Sequence, residues 1–187
     1  MRFERQEIPE ILLVFPTMHS DIRGFFSETF RADSFAAHGL EAAFVQDNHT
    51  YSSKKGVLRG LHFQLPPHAQ GKLVRCVRGA IFDVSVDIRV GSPSYGRHVG
   101  LILSAENCRE VWIPPGFAHG YVALENNTEV IYKVTDYYAP ECDSGIAWDD
   151  PALAIDWRLP STQIILSDKD RKHPQLYEAI PAFHFGR

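Results

Sequence analysis

Short apolar runs, each cut off by Gly, Pro or Asn, make up most of this chain, and their period is that of a β-strand rather than a helix. The clearest is 72–90, KLVRCVRGAIFDVSVDIRV, which divides at a tight turn at Arg78-Gly79. After the turn Phe82, Val84, Val86 and Ile88 share one face, and Ile81, Asp83, Ser85 and Asp87 the other. Further strands are predicted over 12–15, 43–46, 99–103, 110–113, 120–124 and 130–135. Helix is sparse: 31–38 stopped by Gly39, a short stretch in 149–155, and a turn or two within 168–176. Many short strands with few helices predict an all-β antiparallel sandwich or barrel. No repeat or linker interrupts the pattern, so residues 1–187 are expected to form a single domain. Its N-terminal strands and its C-terminal helical or irregular segment would pack around the barrel.

Composition narrows the class. Apolar residues make up 44% and the net charge is −4, so a general nucleic-acid surface is not expected. The three cysteines, Cys76, Cys108 and Cys142, are widely spaced, which argues against a disulfide framework and for a reducing, cytoplasmic setting. Cys76 reads as a small core residue. Nothing in residues 1–20 resembles a signal peptide, and no apolar run is long enough to span a bilayer, so no membrane partner is expected.

Two segments carry candidate chemistry, GVLRGLHFQ (56–64) and WIPPGFAHG (112–120). Each sets a histidine after a glycine-bearing turn, and the second fits the P-x-G-x-x-H turn of a cupin-type jelly-roll barrel. Metal-binding cupins resemble this but add an H-x-H pair. Here Phe63 and Gln64 follow His62, and neither metal nor other cofactor is expected. A histidine without metal can still act as a base, and Arg59, Lys72, Asp83 and Tyr132 lie on neighbouring segments.

The segments DIRGFFSETF (21–30), FVQDNHTYSSKKGVLRGLHFQ (44–64), QGKLVRCVRGAIFDVSVDIR (70–89), WIPPGFAHGY (112–121), YKVTDYY (132–138) and LSDKD (166–170) together resemble the dTDP-4-dehydrorhamnose 3,5-epimerase family. The resemblance runs along almost the whole chain. It implies a cupin-type jelly-roll β-barrel with a few short peripheral helices. It implies epimerisation at C3 and C5 of dTDP-4-dehydro-6-deoxy-D-glucose, in dTDP-L-rhamnose synthesis, by a homodimer. By the same resemblance His62 is the proton acceptor, Tyr132 the donor on the opposite face, and Lys72 the group at the C4 oxygen. Asp170 is implied as the partner of His62. Asp83 is a second candidate from strand alternation, and the sequence leaves both open. Arg23, Glu28, Gln46, Asp47, Asn48, Arg59, His119 and Lys169 match positions that contact the nucleotide-sugar. Tyr138 matches the aromatic that stacks on thymine, and Asp143 stands where the family usually has Glu.

Plainer readings exist for most of these. His62 lies between Leu61 and Phe63, Tyr132 alternates with Val130 and Val134, and either side chain could be structural. His119 could brace the barrel turn, Tyr138 could pack at the rim, and Arg23 with Glu28 could be a surface pair. Lys54-Lys55 reads as a solvated turn, and Glu106 and Glu110 as strand-edge charges without a role. Strict alternation sets Arg59 and His62 on opposite faces unless Gly60 hosts a bulge. Rival functions are an epimerase acting at C3 or C5 alone, a metal-dependent cupin, and a non-catalytic sugar-nucleotide-binding cupin.

Overall fold

The computed structural model describes residues 1–40 and 43–186. Thirteen strands run β1 Arg2–Arg5, β2 Leu12–Phe15, β3 Met18–Asp21, β4 Gly24–Ser27, β5 Gln46–Ser52, β6 Leu58–Gln64, β7 Lys72–Arg78, β8 Ala80–Asp87, β9 His98–Ser104, β10 Glu110–Ile113, β11 Phe117–Ala123, β12 Thr128–Val134 and β13 Asp143–Gly145. One short helix, α1 Ala32–Ala36, lies between β4 and β5. A six-stranded sheet, β1-β2-β10-β7-β12-β5, faces a five-stranded sheet, β13-β6-β11-β8-β9, and every pairing of named strands is antiparallel. This is the cupin-type barrel. The remaining hairpin, β3–β4, stands apart.

The two faces of β8 explain the layering. Ile81 joins Val74, Val111, Ile113 and Val130 in an apolar plug between the sheets. Asp83 and Ser85 share that inward face, so one end of the interior is apolar and the other polar. The opposite face, Phe82, Val84, Val86 and Ile88, packs outward under Leu153, Trp157 and Leu176 of the C-terminal segment. On the far side Phe35 of α1 seals Leu12, Val14, Leu73 and Trp112. Cys76 is buried in the plug, as expected.

Several local expectations need correction. The strand expected at 43–46 starts at Gln46 and runs to Ser52, because its inward positions Gln46, Asn48 and Thr50 are polar and line a cavity. Helix α1 is shorter than 31–38: it is capped at Ala37, and Gly39 with φ +81° closes the turn that follows rather than the helix itself. No helix forms in 149–155: the buried Asp150 carboxylate accepts the N–H groups of Ala152 and Leu176 and ties the segment into turns. The 168–176 stretch supplies only short 3-10 turns, Asp170–Lys172 and the beginning of Leu176–Glu178. Glu110 is no edge charge. It lies between β2 and β7, 1% exposed, with both carboxylate oxygens lacking a hydrogen-bond partner among the described residues. Burial pushes its pKa up to about 8, against the opposing pull of Arg75, 4.0 Å away. Glu106 and Lys54-Lys55 are exposed, as expected.

Candidate active site

The polar end of the barrel opens as a cavity of about 510 Å³, within the range of small-ligand sites. Its two walls are the two sheets. Strands β6 and β11 supply Arg59, His62 and His119, while β7, β12 and β5 supply Lys72, Tyr132, Gln46 and Asn48. Tyr138, Asp143, Lys169 and Asp170 stand around it.

Arg59 and His62 share this cavity because β6 is bulged. His119 pairs with His62, but Tyr121 pairs with Arg59, so β6 places one extra residue opposite Gly120. Gly60 takes φ +127°, and a Cβ there would come within 2.5 Å of Gly120 Cα. Only glycine permits this contact. Leu58, Leu61 and Phe63 are thereby turned outward into the apolar layer.

His62 Nε2 lies 2.6 Å from Asp170 Oδ1. Asp83 is instead 2.7 Å from His119 Nε2, so the two candidate aspartates serve different histidines. Asp83 stands behind His119 and does not line the cavity. Burial lowers the His62 pKa, helped by Lys72 and His173 and opposed by Asp170. For Asp170, burial acts upward, but the imidazoles of His173 and His62 hold it below the ordinary carboxylate range. With Nε2 engaged by a carboxylate, a neutral His62 carries its proton there and leaves Nδ1 as the basic nitrogen.

Lys72 is 8% exposed, and its ammonium donates to the backbone carbonyl of His62 at 3.2 Å. Burial brings its pKa down to about 8, offset in part by Asp83 and Asp143. Tyr132 faces the cavity from β12 with its pKa raised, mainly by burial, while Arg59 pulls it back. Arg59 Nη2 donates to the carbonyl of Tyr51 at 3.2 Å, and its buried Nε has no partner among the described residues. At the mouth, Asp143 accepts from Tyr138 Oη at 2.8 Å and from Lys169 Nζ. Both hydrogen bonds lower its pKa although burial acts the other way.

Three expected contacts are not in this cavity. Asp47 points to the outer side of β5, where it pairs with Lys133 at 2.9 Å. Arg23 and Glu28 lie on and just after the β3–β4 hairpin, both exposed. Other residues had no sequence-level assignment. Thr50 and Tyr121 join the two sheets inside the cavity through a 2.6 Å hydroxyl contact. Gln64 ties the Tyr137–Ala139 backbone to β6. His173 stands against Asp170 at 3.5 Å. Inward alternation on β5 could have found Thr50, and the i,i+3 spacing from Asp170 could have found His173.

A cupin-type barrel holding a histidine–aspartate pair against one wall and a lysine and tyrosine on the other is the arrangement that the resemblance to sugar-nucleotide epimerases implies. The family model described as dTDP-4-dehydrorhamnose 3,5-epimerase matches residues 5–178. The chain belongs to that family, which makes it an isomerase. It is similar to the dTDP-4-dehydrorhamnose 3,5-epimerase of Escherichia coli, 51% identical over 182 residues that span 96% of this chain and 97% of that protein. The Legionella pneumophila dTDP-6-deoxy-D-glucose-3,5-epimerase, solved in complex with dTDP-4-keto-L-rhamnose, aligns with a TM-score of 0.95 at 44% identity, covering 100% of this chain and 99% of that one. A 3'-monoepimerase from Streptomyces bikiniensis, in complex with dTDP-quinovose, aligns at 0.84 and 35% identity over 92% and 86% of the two chains.

Proposed function

We propose that this chain epimerises C3 and C5 of dTDP-4-dehydro-6-deoxy-D-glucose to give dTDP-4-dehydro-L-rhamnose, in dTDP-L-rhamnose biosynthesis. The observation that carries the reading is that His62 and Tyr132 project from opposite sheets into one cavity. Inversion requires a base on one side of a carbon and an acid on the other, and this arrangement supplies both.

The hydrogen alpha to the C4 ketone is weakly acidic. His62 Nδ1 takes it as a proton, and the C–H electron pair moves to O4 as an enolate. Lys72 stabilises charge that appears only in that step, so it favours the transition state over bound substrate. Tyr132 returns a proton to the other face and recovers its own from solvent, while His62 releases the one it gained. Asp170 keeps the imidazole in the working tautomer. Arg59 and Lys169 suit the diphosphate, and Arg59 does so with an Nε that has no protein partner. Gln46, Asn48, His119 and Asp143 are read as further nucleotide-sugar contacts, with Tyr138, 56% exposed at the mouth, stacking on the base.

Incubating enzyme and substrate in D2O tests the reaction. Deuterium is expected at both C3 and C5. Label at one carbon alone would favour a single-site epimerase, a reading disfavoured by the lower identity to the monoepimerase relative.

A homodimer fits the β3–β4 hairpin, which exposes Ile22, Phe25 and Phe26 to 105%, 66% and 69%. Arg23 and Glu28 are then read as contacts delivered by this arm to the partner's cavity. Free cysteines fit action in the cytoplasm, and no helix among the described residues is long and apolar enough to cross a membrane. The chain is taken to work as one domain.

A further inference from the structure

His173 closes the back of the His62–Asp170 pair. Its backbone follows the Asp170–Lys172 turn, and the next residue, Pro174, accepts the Ala147 N–H at 2.8 Å. Its ring occupies the space where a side chain would stand at residue 145. A Cβ on Gly145 would lie 2.5–2.7 Å from three ring atoms. Gly145 is the register partner of His62, so the missing side chain is what lets a second imidazole reach the dyad.

That imidazole has only a long approach to Asp170 and no hydrogen bond among the described residues. The His173 side chain is only 10% exposed, and its buried Nε2 has no hydrogen-bond partner among the described residues. It lies 3.5 Å from Asp170 Oδ1, the same oxygen that His62 Nε2 meets at 2.6 Å. All three ligating atoms fall within 4.8 Å of one another. Around a zinc-like ion with bonds of about 2.0–2.2 Å, neighbouring ligand atoms stand roughly 3.0–3.5 Å apart. One proton shared between His62 and Asp170 leaves His173 at 3.5 Å without a hydrogen bond, whereas one cation at the centre engages all three.

We propose that His62, Asp170 and His173 form a chelating site for a single divalent transition-metal ion of the zinc class, and that its capture switches the enzyme off. The inhibitory part rests on the reading of His62 as the base. Two neutral imidazoles and a carboxylate are the donor set such ions prefer, and magnesium or calcium would not compete. Binding needs the Nε2 lone pair of His62, so the imidazole proton moves from Nε2 to Nδ1 without net release. Nδ1 is the nitrogen that must be empty to accept the substrate proton. The ion therefore disables the base by fixing the opposite tautomer and leaves the nucleotide end of the cavity untouched. It is an inhibitor here, not a resident cofactor.

Calorimetry with zinc chloride on the metal-stripped, full-length enzyme reads the site, and turnover reads its effect. The wild type is expected to bind one ion per chain and to lose about a hundredfold in kcat at saturation. Affinity for dTDP should change less than about twofold, and magnesium should do nothing. His173→Gln and His173→Ala should each lose the zinc isotherm, and their own activity should be insensitive to zinc. Cobalt(II) should give visible d–d bands in the wild type that vanish in either variant. Equal zinc binding in wild type and variants, or none in the wild type, would overturn the site. Stoichiometric binding lost in the variants but without inhibition would overturn the switch and count against His62 as the base, while leaving the calorimetric site intact.

Discussion

His62 and His119 face each other in register across β6 and β11, yet each is held by its own aspartate: Asp170 at 2.6 Å and Asp83 at 2.7 Å. The pairs differ in their access to water. His119 and Asp83 are 8% and 1% exposed at the side chain, whereas His62 is 32% exposed. The first pair is suited to bracing the wall, the second to exchanging protons.

Substitution should separate the two roles. His62→Asn is expected to lower kcat by about 10²–10⁴ with little change in melting temperature. Asp170→Asn should lower kcat by a smaller factor, through loss of the preferred tautomer. Asp83→Asn disrupts a buried hydrogen-bonded pair and should lower the melting temperature, and loss of its pull on Lys72 should move the alkaline limb of the rate profile to lower pH.

The pH dependence of kcat/KM should be bell-shaped. His62 must be neutral, and its pKa is lowered mainly by burial, so the acid limb falls below its ordinary 6.5. Lys72 must be protonated to stabilise the enolate, so activity should decline as pH rises through about 8. Lys72→Met should remove the alkaline limb along with most of the rate. A rate still rising at pH 9 in the wild type would exclude this role for Lys72.

Tyr132→Phe removes the donor but leaves the base. Wash-in of solvent deuterium with retained configuration should continue, while inverted product forms at least about a hundredfold more slowly. Following label and configuration in the same NMR sample distinguishes the two. Equal loss of both would mean that Tyr132 serves the deprotonation as well.

Glu110 gives a stability prediction with a definite sign. Its folded pKa is raised from an ordinary 4.5 to about 8, so folding favours the protonated acid. Its contribution is fully present below pH 4.5 and is lost as pH rises through about 8. Glu110→Gln should therefore raise the melting temperature at pH 8.5, by a stability gain on the order of a few kcal/mol, and change it little at pH 5. A uniform shift at both pH values would contradict this.

The hairpin arm can be tested without touching the cavity. Ile22→Asp with Phe26→Asp should convert a dimer to a 21 kDa monomer in light scattering. Arg23→Ala should weaken dTDP binding without changing the oligomer. Monomeric wild-type protein at micromolar concentration would defeat the arm's proposed role.

Much of this was legible in the residues themselves. The two-faced pattern of 80–88 foretold an inner polar end and an outer apolar layer, and Gly60 marked where alternation could break. What was hidden depends on distant chain segments. His62 and Asp170 are 108 positions apart, and nothing local favours Asp170 over Asp83. Glu110 looked like an edge charge because its burial depends on β2, almost a hundred residues earlier, pairing beside it. Asp47 sits one place from two cavity residues, and only the register of β5 turns it outward. His173 needed the emptiness of Gly145, a property of β13.

The extra residue at Gly60 gives β6 two counting phases. Before it, Arg59 is inward and Leu58 outward; beyond it, His62 and Gln64 are inward and Leu61 and Phe63 outward. The strand thus works as a ruler with a fixed offset between its diphosphate mark and its proton-transfer mark. Inserting one residue into β11 opposite the bulge would restore regular pairing at the present length of β6 and turn the guanidinium into the apolar layer under Trp157. Reshaping this enzyme for other sugars is therefore a matter of exchanging side chains along β6 while keeping its offset against β11.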